Sequence, residues 1–287
     1  MKNTLNYNSA SALKVFLEQE GLGMRKKFGQ NFLVNPASRQ ALADALGACE
    51  GDDVWEIGPG LGAMTNLLLD RGLNVRVFEI DKGFIRVLKQ FFGDKKNFSL
   101  VEGDVMKTWT EQKRADFLLG NLPYNIAAAL LADLIVKGCL FKRIVVTVQK
   151  EVALRMAASA GSSDYSSLSV LCASAYRAEP LMLIRPSSFY PQPNVDSMGI
   201  LLEKRSSDFP PVPAIFYSLV RSLFASRRKT VKNNLVNFTS SFLKDSPDLC
   251  GKVLSESGLT GNERAEDLEI EVFLSLAKSI ENMRKLQ

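Results

Sequence analysis

No histidine occurs among the 287 residues. That excludes imidazole general bases, Ser-His-Asp triads and nearly all catalytic zinc sites. Cysteine is sparse: Cys49, Cys139, Cys172 and Cys250 stand far apart and no pair forms a CxxC. They read as reduced, mostly buried thiols of a cytosolic protein, neither disulfides nor metal ligands, so no metal is expected. No apolar run reaches the roughly 18 residues needed to cross a bilayer. The N-terminus mixes Lys2, Lys14 and Glu18 with polar residues and has no signal-peptide core. A cytoplasmic chain without a membrane partner is the expectation. There is no internal repeat.

What is present suits a large domain and a smaller one: 287 residues, 46% of them hydrophobic. The net charge of +5 permits a polyanionic partner without demanding one. Residues 1–24 are polar around a short amphipathic piece, Ala10 to Leu17, and read as a flexible arm. From residue 25 to 209 strands and helices alternate. Strands are predicted over Asp53 to Ile57, Asn74 to Ile80, Phe98 to Val101, Asp116 to Gly120 and Arg143 to Val148. Helices are predicted from Pro36 to about Gly47, and over Ala63 to Asp70, Lys82 to Phe92, Ile126 to Lys137 and Lys150 to about Ala158. This alternation implies right-handed crossovers and a parallel α/β sheet. A helix over Ser166 to Tyr176 and strands over Leu181 to Arg185 and Met198 to Leu202 follow. Pro210, Pro211 and Pro213 mark a boundary, and 210–287 shows helical periodicity only, a small helical domain.

The chemistry is expected at Asn121-Leu122-Pro123-Tyr124-Asn125, just after a strand. Ligands of doubly wound sheets bind at the carboxyl ends of strands. Asn121 offers an amide donor and acceptor, Pro123 stiffens the turn, and Tyr124 supplies an aromatic face. Such a set suits a planar amine such as adenine; by itself it equally fits a turn with a structural Tyr. Gly58-Pro59-Gly60-Leu61-Gly62 follows the first strand of the sheet, and Glu79 ends the next strand, about 20 residues on, where a carboxylate accepts from both ribose hydroxyls. A dinucleotide fingerprint places a third glycine where this chain has Ala63, and its pyrophosphate needs that turn. The departure, with Pro59 inside the turn, favours a nucleoside ligand without phosphates. Asp104, after Gly103, ends the third strand and is placed to accept an exocyclic amine.

Taken together, Glu56 to Gly62, Glu79, Gly103-Asp104 and Asn121 to Asn125 resemble successive motifs of class I S-adenosylmethionine methyltransferases that modify adenine N6. Arg25 to Leu33, Gln149-Lys150-Glu151-Val152 with Arg155, and Phe189 to Ser197 narrow the resemblance to ribosomal RNA adenine dimethyltransferases of the KsgA/RsmA family. It runs from about Arg25 to the C-terminus. The resemblance implies a Rossmann-like methyltransferase sheet with a small C-terminal helical domain. It implies dimethylation of two adjacent adenosines in the 3′-terminal hairpin of 16S rRNA, within a pre-30S particle, by a monomer. It also implies S-adenosylmethionine contacts at Asn31, Leu33, Gly58, Glu79, Asp104 and Asn121, with Gly60 in the same turn. The family's hydroxyl residues after Asn125 are replaced here by Ala127, Ala128 and Ala129.

In the expected mechanism the Asn121 side-chain oxygen and the Leu122 carbonyl accept the two N6 hydrogens and aim the nitrogen lone pair at the methyl group. Tyr124 stacks on one face of a flipped-out base and Phe189 on the other. Two basic clusters are expected to hold RNA phosphates: Arg25, Lys26 and Lys27, and a second of Arg221, Arg227, Arg228, Lys229 and Lys232 lining one face at helical spacing. The rivals are a macrolide-resistance enzyme acting on large-subunit rRNA, a non-enzymatic RNA-binding relative and, more remotely, a DNA adenine methyltransferase.

Overall fold

The computed structural model describes residues 5–23, 30–206, 209, 211–239 and 247–285. The chain divides into two compact units, Met1–Ala153 with Ala178–Lys204, and Leu154–Arg177 with Arg205–Gln287.

The first unit opens with α1 (Ala10–Gln19), β1 (Phe32–Leu33) and α2 (Pro36–Leu46). Helix α2 starts where the sequence signals it. The Asn35 side chain accepts from the Ser38 N–H at 2.9 Å, Pro36 sits in the first turn, and Gly47 closes the helix in the left-handed region. The alternating core follows: β2 (Asp53–Ile57), α3 (Ala63–Asp70), β3 (Asn74–Glu79), α4 (Lys82–Phe92), β4 (Phe98–Glu102), α5 (Val105–Thr108), β5 (Phe117–Asn121), α6 (Ala127–Val136), β6 (Arg143–Gln149) and α7 (Lys150–Ala157). After α8 (Ser167–Ala173) the chain returns to the sheet through β7 (Tyr176–Ile184), β8 (Phe189–Tyr190) and β9 (Ser197–Lys204).

The seven-stranded sheet has the order β4-β3-β2-β5-β6-β9-β7. From β4 to β6 all pairings are parallel; β9 runs antiparallel to β6. The chain steps outward from β2 to β4, then crosses back to β5 on the other side of β2. The order therefore reverses between β2 and β5, and their carboxyl ends, paired through Ile57 and Gly120, form the crevice where such sheets bind ligands. Strands β5 and β6 are almost wholly buried, as continuous Val, Ile and Leu runs require. Pro180 lies in β7, at the end of the sheet order, where a residue without an N–H is tolerated.

The structure differs from the sequence reading at two elements. The helix expected over Ser166 to Tyr176 ends at Ala173, and Tyr176 already begins β7. The arm expected to be loose is docked over its described residues: Leu13 and Leu17 are 1% and 4% exposed and pack with Leu61, Phe84 and Val87. The amphipathic spacing that made Ala10 to Leu17 look merely helical is what supplies this buried stripe.

In the second unit, α9 (Phe216–Phe224), α10 (Val231–Thr239), α11 (Pro247–Glu256) and α12 (Ile270–Lys285) enclose a core that includes Phe216, Leu219, Leu235, Val253 and Phe273. Tyr165 and Val170 belong to this core, and the Tyr165 hydroxyl donates to the Leu268 carbonyl at 2.9 Å. Hence Leu154–Arg177, which the sequence reading placed before the Pro210 boundary, groups with the helices: its apolar side chains have their partners there. Among the described residues, no helix is long and apolar enough to cross a membrane.

Candidate active site

At the crevice between β2 and β5 lies a cavity of about 250 Å³. Its floor is the turn from Gly58 to Gly62. The Gly58 N–H donates to the Phe78 carbonyl at 3.1 Å, which ties the turn to β3. Gly60 has φ +58°, and a Cβ there would come within 2.8 Å of the Phe32 ring, so only glycine lets β1 close over the turn. The Asn121 carbonyl and the Pro123 ring lie 3.7 Å from where a Gly58 Cβ would stand, so two motifs far apart in sequence meet here.

Glu79 closes β3 and is 6% exposed. One carboxylate oxygen, Oε1, accepts the Ile80 and Asp81 N–H groups, both at 2.8 Å. Burial pushes this carboxyl up to about 7, against the hydrogen bonds from Asp81, Ile80 and Gly60. Glu56 ends up deeper still, 2% exposed, with Oε2 accepting from the Thr65 hydroxyl at 2.7 Å. Desolvation raises it to about 8. Asp104 caps α5, its Oδ1 accepting from the Met106 N–H at 3.0 Å, and lines the cavity beside Val105.

Asn121 is the last residue of β5 rather than part of the turn after it. Its Nδ2 donates to the Asn31 carbonyl at 2.6 Å, which orients the amide and holds Asn31 beside it. The Leu122 side chain is 1% exposed and its N–H donates to the Thr147 carbonyl at 3.1 Å, continuing the β6 ladder for one residue. Tyr124 is half-buried, and its hydroxyl shares a 2.5 Å hydrogen bond with the Ser197 hydroxyl at the start of β9. Burial raises this phenol above its ordinary range.

The structure thus gathers Asn31, Leu33, Gly58 and Gly60 with Glu79, Asp104, Asn121 and Pro123 around one cavity. Leu122 and Tyr124 flank it at the Asn121 corner. Phe189 is not brought there. It pairs with Leu33 between β8 and β1, is 2% exposed, and packs in the core with Leu42, Leu46 and Ile184. The expected mechanism stacked its ring on the base; the short β1–β8 pairing sets the ring in the core instead.

Of the basic clusters, Arg25, Lys26 and Lys27 lie outside the described residues. The second cluster is not one helical face. Arg221 lies in the last turn of α9 and Lys232 belongs to α10, but Arg227, Arg228 and Lys229 occupy the turn between them. The buried Asn234 amide fixes that turn by donating to the Leu223 and Ser226 carbonyls. Arg227 faces its own unit, pairing with Glu266 at 3.1 Å and donating to the Tyr165 carbonyl at 3.0 Å. Arg228, Lys229 and Lys232 are exposed.

Sequence reasoning missed several cavity residues: Tyr7, Arg39, Glu56, Ile80 and Val105. Glu56 precedes the glycine turn and was legible as part of that motif. Tyr7 and Arg39 carry no local signal, because they reach the site only through the docking of α1 and α2.

A family model described as ribosomal RNA adenine dimethylase matches residues 21–282. A Treponema denticola protein named ribosomal RNA small subunit methyltransferase A is 45% identical, the match covering 96% of each chain. A Borreliella burgdorferi protein of the same name is 36% identical over 96% of this chain and 95% of its own. Among solved structures, a dimethyladenosine transferase from Plasmodium falciparum superposes with a TM-score of 0.76 at 28% identity, covering 88% of this chain and 97% of that one. The 23S rRNA methyltransferase ErmE has the same fold, with a TM-score of 0.64 at 21% identity over 87% of this chain and 99% of its own.

Proposed function

The chain belongs to the ribosomal RNA adenine dimethylase family, and from that premise we infer that it methylates N6 of two adjacent adenosines in the 3′-terminal hairpin of 16S rRNA, using S-adenosylmethionine and yielding N6,N6-dimethyladenosines. The observation that carries this reading is the contact between the glycine turn and the Asn121 corner at the β2–β5 crevice. It supports reading a nucleoside cavity beside an amine-gripping amide. The small-subunit relatives, at 36–45% identity over nearly the whole chain, favour 16S over 23S rRNA, since the 23S enzyme shares 21%.

The cavity residues fit the cofactor. The Gly60 position, which a Cβ would fill, lets a ligand lie against the main chain. Glu79, with Oε1 on two main-chain N–H groups, is an acceptor for a vicinal diol. Asp104 accepts from an adenine amine, and Ile80 and Val105 offer it apolar surfaces. Leu33 and Asn31 border the amino-acid end. When bound, the sulfonium provides an activated methyl group.

The protein's task is then to hold the acceptor nitrogen. Adenine N6 is a weak nucleophile because its lone pair is delocalised into the ring. With Nδ2 held by the Asn31 carbonyl, the Asn121 Oδ1 is the free acceptor for one N6 hydrogen, and the Leu122 carbonyl takes the other. Both bonds pull the nitrogen toward tetrahedral geometry. Tyr124, steadied by Ser197, stacks on the base. Phe189 supports β1 from the core and is assigned no contact with the base. Arg228, Lys229 and Lys232, with Arg221 beside them in sequence and Arg25, Lys26 and Lys27 in the other cluster, provide phosphate contacts. The enzyme acts as a cytoplasmic monomer on rRNA within a precursor of the small subunit.

The direct experiment incubates the protein with undermethylated small subunits and methyl-labelled cofactor, then maps the modified nucleotides. Label on two adjacent adenosines of the 3′ hairpin is expected. Label on 23S rRNA alone, or none, defeats the reading.

A further inference from the structure

The cavity wall holds a charge that the reading above does not use. Arg39, on α2, lines the cavity and is only 7% exposed. Its guanidinium is held by two main-chain carbonyls and one amide. Nη1 donates to the Leu33 carbonyl at 2.6 Å and to the Tyr7 carbonyl at 3.3 Å, and Nη2 donates to the Asn8 Oδ1. None of these acceptors is charged. Among the described residues no ion pair neutralises it, although a buried cation is costly unless it is paired. A guanidinium carries five N–H donors, and these three bonds leave Nε–H and one Nη2–H without a described acceptor. A carboxylate is the planar anion that a guanidinium fork recognises best.

Glu56 lines the same cavity, 2% exposed, and its hydrogen-bond partners are the neutral hydroxyl and main-chain N–H of Thr65. One cavity therefore contains a buried cation with no acid and a buried acid with no cation. They do not pair with each other among the described ion pairs. A ligand that brings a carboxylate and an ammonium on one carbon satisfies both. Glu79 and Asp104, which suit a ribose and an adenine, lie on β3 and at the start of α5, whereas Arg39 projects from α2 beside Leu33.

We propose that Arg39 binds the α-carboxylate of the cofactor's amino-acid tail, an inference that rests on reading the cavity as an S-adenosylmethionine site. The same guanidinium holds Tyr7 and Asn8, so carboxylate binding and the seating of the N-terminal segment are coupled through one side chain. Arg39 is thereby a determinant of specificity for an intact amino-acid tail, beyond the nucleoside contacts.

The test uses the full chain and two compounds: S-adenosylhomocysteine, and its decarboxylated analogue S-(5′-adenosyl)-3-thiopropylamine, which keeps the ammonium and loses the carboxylate. Calorimetry on the unaltered protein is expected to show the analogue binding about 10- to 100-fold more weakly, the range for a buried charged hydrogen-bond pair. In Arg39→Met that preference collapses to within about twofold because the homocysteine compound weakens while the analogue does not. Arg39→Lys restores part of the preference. Amide hydrogen exchange at residues 5–9 is expected to slow with S-adenosylhomocysteine and to change little with the analogue. Equal weakening of both compounds in Arg39→Met makes Arg39 a structural brace only and overturns the proposal. So does an unaltered protein that binds both compounds equally, a result that does not depend on the variant folding. Absence of binding by either compound to the unaltered protein overturns the cofactor reading itself, and this inference with it.

Discussion

The Asn121 corner and the turn from Arg227 to Lys232 use polar residues in opposite ways. At the corner each polar atom is placed by another: Asn121 by the Asn31 carbonyl, Tyr124 by Ser197, Glu79 by two main-chain N–H groups. Such a site is preorganised before any ligand arrives, which is what transfer to a weak nucleophile requires. At the turn only the backbone and Arg227 are fixed, by Asn234, Glu266 and the Tyr165 carbonyl, while Arg228 and Lys229 extend into solvent. Exposed cations of this kind act through charge, and their effect is diluted by salt. The lesson is that proximity in sequence misled at the turn, where four cations in six residues are not equivalent, whereas residues 31, 58 and 121, far apart in sequence, line one cavity at the corner.

The contrast can be broken by substitution. Asn121→Ala is expected to lower the rate of methyl transfer by about 100-fold or more in a single-turnover assay, since it removes the acceptor proposed to position the reacting nitrogen. Retention of near-normal rate would remove the preorganised half of the comparison. Glu79→Ala comes next: affinity for S-adenosylhomocysteine should weaken by about 10- to 100-fold by calorimetry, the loss of charged acceptor contacts to a diol.

The turn predicts smaller and divergent effects. Arg227→Ala should cost about 1 kcal/mol in urea unfolding, because its contacts are within its own unit and half-exposed. Arg228→Ala should leave stability within about 0.5 kcal/mol and reduce the slope of log affinity for rRNA against log salt by about 1. If Arg227→Ala and Arg228→Ala changed RNA binding and stability alike, the distinction between a bracing and a binding cation would fail.

The last effect concerns pH. Glu56 and Glu79 are raised by burial from 4.5 to about 8 and about 7. Between those limits the folded chain holds protons that the unfolded chain has released, so the stabilisation is fully present below about 4.5 and is lost as the pH rises toward about 8. Thermal unfolding of the ligand-free protein should therefore shift to lower temperature from pH 5 to pH 8 by this contribution, and Glu56→Gln should flatten that trend. An unchanged pH trend in Glu56→Gln would show that its carboxyl is not held protonated by the fold.

Much of the sheet was legible because each strand carries an apolar run and each crossover a helical period. Ala63 to Asp70 and Lys82 to Phe92 begin and end where the pattern says. The cavity wall was legible wherever a candidate residue sits at or just after a strand end, as with Gly58, Glu79, Asp104 and Asn121. What could not be read depends on packing at long range. Phe189 turned inward because β8 pairs with β1, and Arg39 entered the cavity because α2 lies against β1 and the segment before α1. The bracing role of Arg227 needs Glu266 and Tyr165, both far off in the chain. A hydrophobic period reports which side of an element is buried; it is silent on which distant partner covers it.

The most direct measurement is a crystal structure of the chain with S-adenosylhomocysteine bound. The account predicts the ribose on Glu79, the adenine beside Asp104 and Val105, and the sulfur facing the side-chain oxygen of Asn121. A nucleoside lodged elsewhere, or a sulfur turned away from Asn121, would contradict it.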